Sequence, residues 1–292
     1  MKLLTFRFGN RTYAGLVYHV NHVVVLEKLY FKQFKRPFQF HDVGELIAEG
    51  GMKRLKELDL ASVKGDTTLT RALRDVEIVA PLLRPPKIVC VGLNYRDHAE
   101  EQAAPLPERP LLFAKAANIV VGPDAKVRIP PEAPSMVDYE VELAVVIGRE
   151  GFRIAREEAL EYVFGYSIMN DVTARDIQKS EKQWFRGKSF ATFAPLGPHI
   201  VTPDEIDPSN LKIELRVNGE TRQSSRTSNL IFDVPALISY ISAGFALEPG
   251  DVIATGTPSG VGVFRKPPMF LKPGDRLEAE IEGIGILANA VE

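Results

Sequence analysis

Apolar and polar side chains alternate with period two at the start of the chain. Leu3, Thr5 and Arg7 oppose Leu4 and Phe6, and similar runs cover Thr12 to Tyr18 and His22 to Leu26. Gly9-Asn10 and Asn21 separate these runs, and the pattern predicts a small antiparallel meander. Asp42 is placed to cap a short helix from Val43 to Glu49, stopped by Gly50-Gly51. Between them, Lys28 to Arg36 mixes cations with aromatics. It reads as a loop covering the core or an oligomer interface, with single-stranded nucleic acid as the rival partner.

Pro81 and Arg84-Pro85-Pro86 mark a boundary, because adjacent prolines hold extended backbone and cannot join a central ladder. The pattern therefore divides the chain into a small N-terminal α+β domain, 1–80, and a main domain, 81–292. In the main domain strand patterns dominate: Ile88 to Val91, Leu111 to Ala114, Glu140 to Ile147, Leu211 to Val217, Val252 to Thr255, Arg276 to Ile281 and Ile284 to Val291. Asn218-Gly219 and Glu282-Gly283 suit hairpin turns. Helices are expected over Ala155 to Tyr162, Ala174 to Glu181 and Val234 to Ala243. Strands without βαβ alternation predict an α+β, mostly β, fold with peripheral helices. No internal repeat or low-complexity stretch is found.

Composition narrows the function classes. A net charge of -2 offers no electrostatic excess for binding polyanions, so nucleic acid is not the expected partner. No run of about 18 apolar residues occurs, so no membrane span is expected. The opening Met1-Lys2-Leu3-Leu4-Thr5-Phe6-Arg7 lacks a secretory pattern, and the cytoplasm is the expected location. The single cysteine, Cys90, lies in an apolar strand pattern and reads as a buried, inert thiol.

The candidate chemistry begins at Asp138-Tyr139-Glu140-Val141-Glu142-Leu143. Strand periodicity puts Glu140 and Glu142 on one face, continued by apolar Ala144 and Val146. Two buried carboxylates repel one another and lose hydration, and a divalent cation offsets both penalties. Oxygen-only donors favour magnesium or manganese. For an arbitrary Glu-x-Glu a solvated strand edge is the commoner explanation, and the flanking apolar run lowers its weight here. Asp171, ending an apolar strand, is a candidate third ligand or the N-terminal cap of the following helix. Arg175 and Gln178 share a face of that helix and could bind a carboxylate and a carbonyl oxygen. If the segment around His98 is helical, Glu101 can orient the imidazole as a general base, although Glu100 competes and a surface histidine is the bland alternative. The loop from Gln102 to Pro107 would let this segment act as a lid. Two loops are set aside as nucleotide sites. Arg186-Gly187-Lys188-Ser189 has Lys182 where a phosphate-binding loop needs glycine, and Thr255 to Gly262 lacks the dinucleotide glycine order.

Together these segments resemble the fumarylacetoacetate hydrolase family. The resemblance runs from Lys87 to Glu292 and rests on Val91-Gly92-Leu93-Asn94-Tyr95 with His98, on Asp138 to Leu143, and on Asn170 to Gln178. Gly187-Lys188-Ser189-Phe190 and Thr255-Gly256-Thr257-Pro258 complete it. It implies a mixed β-roll, a homodimer and a magnesium or manganese ion held by Glu140, Glu142 and Asp171. It further implies a His98–Glu101 dyad and substrate contacts from Arg175, Gln178, Lys188 and Thr257, with Lys115 another lysine near the site. The N-terminal segment resembles the extra domain of many bacterial members.

The reaction expected from this set is hydrolytic C–C cleavage of an acylpyruvate-like 2-oxo acid. His98 would activate water, and Lys188 would add positive charge beside a departing enolate. Isomerisation of a hydroxymuconate-type diacid, decarboxylation of oxaloacetate and dehydration of a deoxy sugar acid use the same enolate chemistry. A catalytically silent binding protein is the rival from another class.

Overall fold

A computed structural model describes residues 1–292. Its architecture is mixed but dominated by strands, in a large twelve-stranded sheet, a five-stranded sheet and a two-stranded ladder. The long path of the large sheet starts with Thr70–Ala72, His22–Val25, Arg11–Tyr18 and Lys2–Phe8. It continues through Ala194–Val201, Val163–Asn170 and Val141–Ile147, and ends with Val252–Ala254, Ile88–Gly92 and Leu111–Lys115. The N-terminal meander is thus continued edge to edge by the strands that follow Pro81, through Lys2 opposite Val201 and Leu3 opposite Ile200. Side chains from both regions also join one large hydrophobic cluster.

The five-stranded sheet, built around Lys212–Val217 and Arg276–Ile281, packs on the strands Val141–Ile147 and Val163–Asn170. Its strands bury every second residue, as one covered face requires. Val141–Ile147 and Val163–Asn170 are buried at every position, because both of their faces are covered. The expected turn at Asn218-Gly219 is present, with both residues at positive φ, 54° and 80°. That backbone matches the right-handed twist of the strands it joins.

Helices lie at the edges. Val234–Gly244 starts at Asp233, whose carboxylate accepts from the Ala236 N–H. Asp42 caps Val43–Ala48 in the same way, but Gly50-Gly51 does more than stop that helix: a second one, Gly51–Glu57, begins there. The stretch expected as an α-helix at Ala155 to Tyr162 is a 3₁₀ helix over Arg156–Tyr162.

The structure also corrects the reading of Lys28 to Arg36 as a loop, since helix Leu26–Phe34 covers most of it. Leu26, Leu29 and Tyr30 bury one face at helical spacing, while the lysines that obscure this pattern point outward. A further strand, Ala194–Val201, is hidden in the sequence by Pro195, Gly197 and Pro198. Its partners toward Lys2–Phe8 and Val163–Asn170 are Leu196, Gly197, Ile200 and Val201, so neither proline occupies a pairing position there. No helix is long and apolar enough to cross a membrane.

Candidate active site

Sheet register assembles the acidic cluster. Val141 pairs with Asn170, and the Asp171 N–H donates to the Glu140 carbonyl at 2.8 Å. This brings Asp171 beside Glu140 across the ladder, while the period of two keeps Glu142 on the face of Glu140. All three carboxylates are buried, and one oxygen from each lies within 4.8 Å of the others. Asp171 does not cap the next helix. That helix, Arg175–Ser180, has Ala174 at its cap position and no side-chain cap bond.

Three buried cations surround the triad. Lys188 Nζ donates to Glu140 Oε2 and Asp171 Oδ2, each at 2.7 Å. Lys115 Nζ donates to Asp171 Oδ1 at 2.5 Å and to the Val172 carbonyl at 3.1 Å. Arg175 Nη2 lies 2.6 Å from Glu140 Oε1. Lys188 reaches the cluster because Gly187 packs against the Arg175–Ser180 helix, where a Cβ would come within 2.8 Å of the Gln178 nitrogen.

Burial disfavours the charge on Glu140, but Lys188 and Arg175 outweigh it and hold the carboxyl down to about 2. Burial also opposes the charge on Lys188, yet Asp171 and Glu140 raise its pKa and keep it an ammonium. Glu142 differs. Burial, then the charges of Asp171 and Glu140, push its pKa well above the usual carboxylate range. It accepts the Gly256 N–H at 2.8 Å and makes no ion pair. The donor set therefore fits a hard divalent cation, which would supply the positive charge that Glu142 lacks.

The cluster forms the floor of a cavity of about 460 Å³. His98, Glu140, Glu142, Arg175, Gln178, Lys188 and Thr257 line it. Glu101, Lys115 and Asp171 stand behind these residues, each bonded to one of them or to a neighbour in the cluster. His98 lies on the short helix Arg96–Glu101, with Nδ1 3.0 Å from Glu101 Oε2. Gln102 Nε2 is 2.8 Å from the other ring nitrogen. An amide N–H donates there, so Nε2 holds the lone pair and Nδ1–H donates to Glu101. The second oxygen of Glu101 accepts the Gly260 N–H at 2.9 Å, which ties the helix to the glycine-rich loop.

Two of the expected substrate contacts have other partners. Arg175 donates from Nε to Asp138 and from Nη1 to Gln178 Oε1, besides facing Glu140. Gln178 is thereby oriented with its NH₂ left as the free donor. The Thr257 hydroxyl donates to the Val141 carbonyl and accepts from Gln223 Nε2.

Asp138 is the residue that the sequence reading passed over. Fully buried, it accepts from Arg175 Nε and from the N–H groups of Tyr139, Gly262 and Val263. Gly262 has no room for a side chain, since a Cβ would lie 1.9 Å from the Met269 carbonyl oxygen and 2.6 Å from Asp138 Oδ1. The periodicity that pairs Glu140 with Glu142 also places Asp138 on their face, so the signal was available. Gln223, on the strand Glu220–Arg226, gave none. It bonds Val141, Thr257 and Pro258 only through tertiary folding. Cys90 is fully buried, and burial pushes its thiol pKa well up.

The model of the fumarylacetoacetate hydrolase C-terminal region matches residues 87–292. The chain belongs to this family. The family is one of enzymes. Among its relatives, the oxaloacetate tautomerase YisK of Bacillus subtilis is 44% identical over the whole of both chains. A mitochondrial oxaloacetate tautomerase of Bos taurus is 51% identical, across 74% of this chain and 70% of its own. A fumarylacetoacetate hydrolase from Exiguobacterium antarcticum superposes with a TM-score of 0.86 at 41% identity, covering 100% of this chain and 99% of its own. A 5-carboxymethyl-2-hydroxymuconate delta-isomerase from Mycobacterium smegmatis gives 0.78 at 33% identity, with coverage of 100% and 99%.

Proposed function

We propose that this chain is a divalent-metal-dependent tautomerase that moves a proton between C3 and the 2-oxygen of a 2-oxo acid, with oxaloacetate as its first candidate substrate. The observation that carries the reading is the buried Glu140–Glu142–Asp171 triad at the floor of a cavity that also holds His98 and Lys188. The end-to-end likeness to an oxaloacetate tautomerase supports this reaction over the others that share an enolate. Glu140, Glu142 and Asp171 would hold magnesium or manganese, which when bound supplies Lewis acidity toward a 2-oxo acid.

The chain's own groups divide the remaining work. His98 Nε2, whose lone pair accepts from the Gln102 amide in this structure, takes the C3 proton once substrate displaces that amide, and returns it to the 2-oxygen. Glu101 stabilises the imidazolium formed in between, as it accepts from Nδ1 throughout. Lys188 adds fixed positive charge beside the developing enolate. The Gln178 NH₂ is a donor for the substrate carboxylate, with Arg175 fixing its orientation. Lys115 neutralises Asp171, and Thr257 shapes the wall between Val141 and Gln223. Phe264, 5.9 Å from the His98 ring, helps to shield it from water.

A second reading, hydrolytic cleavage of an acylpyruvate, is favoured by the same dyad, since a histidine oriented by a carboxylate can equally activate water. One panel separates the two: enol-to-keto conversion of oxaloacetate and pyruvate release from acetylpyruvate, each with magnesium, manganese or EDTA. Metal-dependent acceleration of the first with slow turnover of the second is the expected result. Faster pyruvate release would make the chain a hydrolase, and EDTA-insensitive turnover of oxaloacetate would remove the metal. The homodimer is part of the same proposal and is checked by sedimentation.

A further inference from the structure

The cavity is chemically graded. Its floor is the buried charge cluster, and its walls are apolar, with Val91, Leu93, Leu111, Phe113 and Trp184 among them. Its exposed rim carries two lysines, Lys179 and Lys182. The cations at the floor are all committed. Lys115 and Lys188 bond Asp171 and Glu140, and all three guanidinium nitrogens of Arg175 face Asp138, Gln178 or Glu140. Lys179 and Lys182 have no ion-pair partner; the nearby Glu181 carboxylate is taken by Arg186. They are also close in the chain. Lys179 is one helical turn after Arg175, and Lys182 follows the helix with φ at 60°, in the left-handed region.

We propose that Lys179 and Lys182 form a subsite for the far carboxylate of a 2-oxo dicarboxylate longer than oxaloacetate, whose own second carboxylate sits on the reacting carbon, so that the chain selects such diacids over monoacids and neutral-tailed analogues. The inference rests on the 2-oxo acid reading only for the direction in which the substrate lies. With the 2-oxo acid head at the floor, a distal carboxylate has an apolar wall to cross, and these two ammonium groups are the unpaired cations that line the cavity. Both are solvated, so the gain is that of exposed ion pairs: roughly fivefold to tenfold in affinity, and reduced by salt.

The test uses the full chain with magnesium and compares binding of 2-oxoglutarate with that of its 5-methyl ester, by titration calorimetry. The two share a carbon skeleton and differ by one charge. The wild-type chain should bind the diacid about fivefold to tenfold more tightly at low salt, with the advantage shrinking at high salt. In the double variant Lys179→Ala, Lys182→Ala the advantage should vanish, and Lys179→Arg, Lys182→Arg should restore it. Equal affinities in the wild type, no binding of either compound, or a preference that survives in the alanine variant would each overturn the subsite. Failure of the tautomerase reading is separate: oxaloacetate would tautomerise no faster than in buffer while the diacid preference remained.

Discussion

Glu142 differs from the other carboxylates of the site because no cation of the chain is paired with it, while Glu140 and Asp171 each have two and Asp138 has one. A carboxyl whose folded pKa is raised favours the folded state below its ordinary pKa and loses that contribution as pH rises through the raised value. Glu142→Gln removes this penalty and a metal ligand together. Without metal the variant should melt about 2–4 °C above the wild type, the shift that ~1 kcal/mol brings in a chain of this size. Magnesium should raise the melting temperature of the wild type only, and an equal magnesium shift in both chains would remove Glu142 from the metal site. His98→Asn should lower kcat by roughly 10²–10⁴, the usual contribution of a positioned acid–base group. Glu101→Gln should cost less and leave KM nearly unchanged, since it acts through the imidazole. Steady-state tautomerase assays decide both. The residue types of this site were legible in the sequence; the ion pairs that set their charge states were not, because Lys115 and Lys188 are 56 and 17 positions from Asp171.

At the scale of elements, two short helices are tied to one glycine-rich loop. Asp138 joins the Arg175 helix to the Gly262-Val263 turn, and Glu101 joins the His98 helix to Gly260. Asp138→Asn would leave Arg175 short of one buried counter-charge and should destabilise the chain by about 3 kcal/mol, the cost of breaking a buried pair. Urea unfolding measures this, and a loss within ±0.5 kcal/mol, typical of a surface change, would contradict the bridging role. Strands and hairpins could be read from period two and from Asn218-Gly219. The Leu26–Phe34 helix could not, since its lysines hide a buried stripe of only three residues. Ala194–Val201 was hidden because its prolines suppress the strand pattern, although they lie clear of the pairing positions toward its central neighbours.

For the whole molecule, the junction between the N-terminal meander and the main sheet carries a pH-sensitive group. His199 lies on the strand that pairs with Lys2–Phe8, and burial, then the charge of Lys2, lowers its pKa to about 4. A histidine depressed in the folded state favours folding above its ordinary pKa of 6.5, and that contribution is lost as pH falls from there toward 4. The effect is at most about 3 kcal/mol. His199→Gln should flatten the fall in stability across this window, read from melting temperatures at pH 7 and pH 4.5; an unchanged slope would assign the acid lability elsewhere. The sequence by itself determined the strand-rich class, the hairpin turns and the residue types of the site, because these follow from local periodicity and from the chemistry of side chains a few positions apart. Only the tertiary structure decided that the meander and the main sheet share one ladder. It alone also decided that Asp171 faces Glu140 and which cation neutralises which carboxylate. Those outcomes depend on strand register and on burial, and both are set by contacts between residues far apart in the chain.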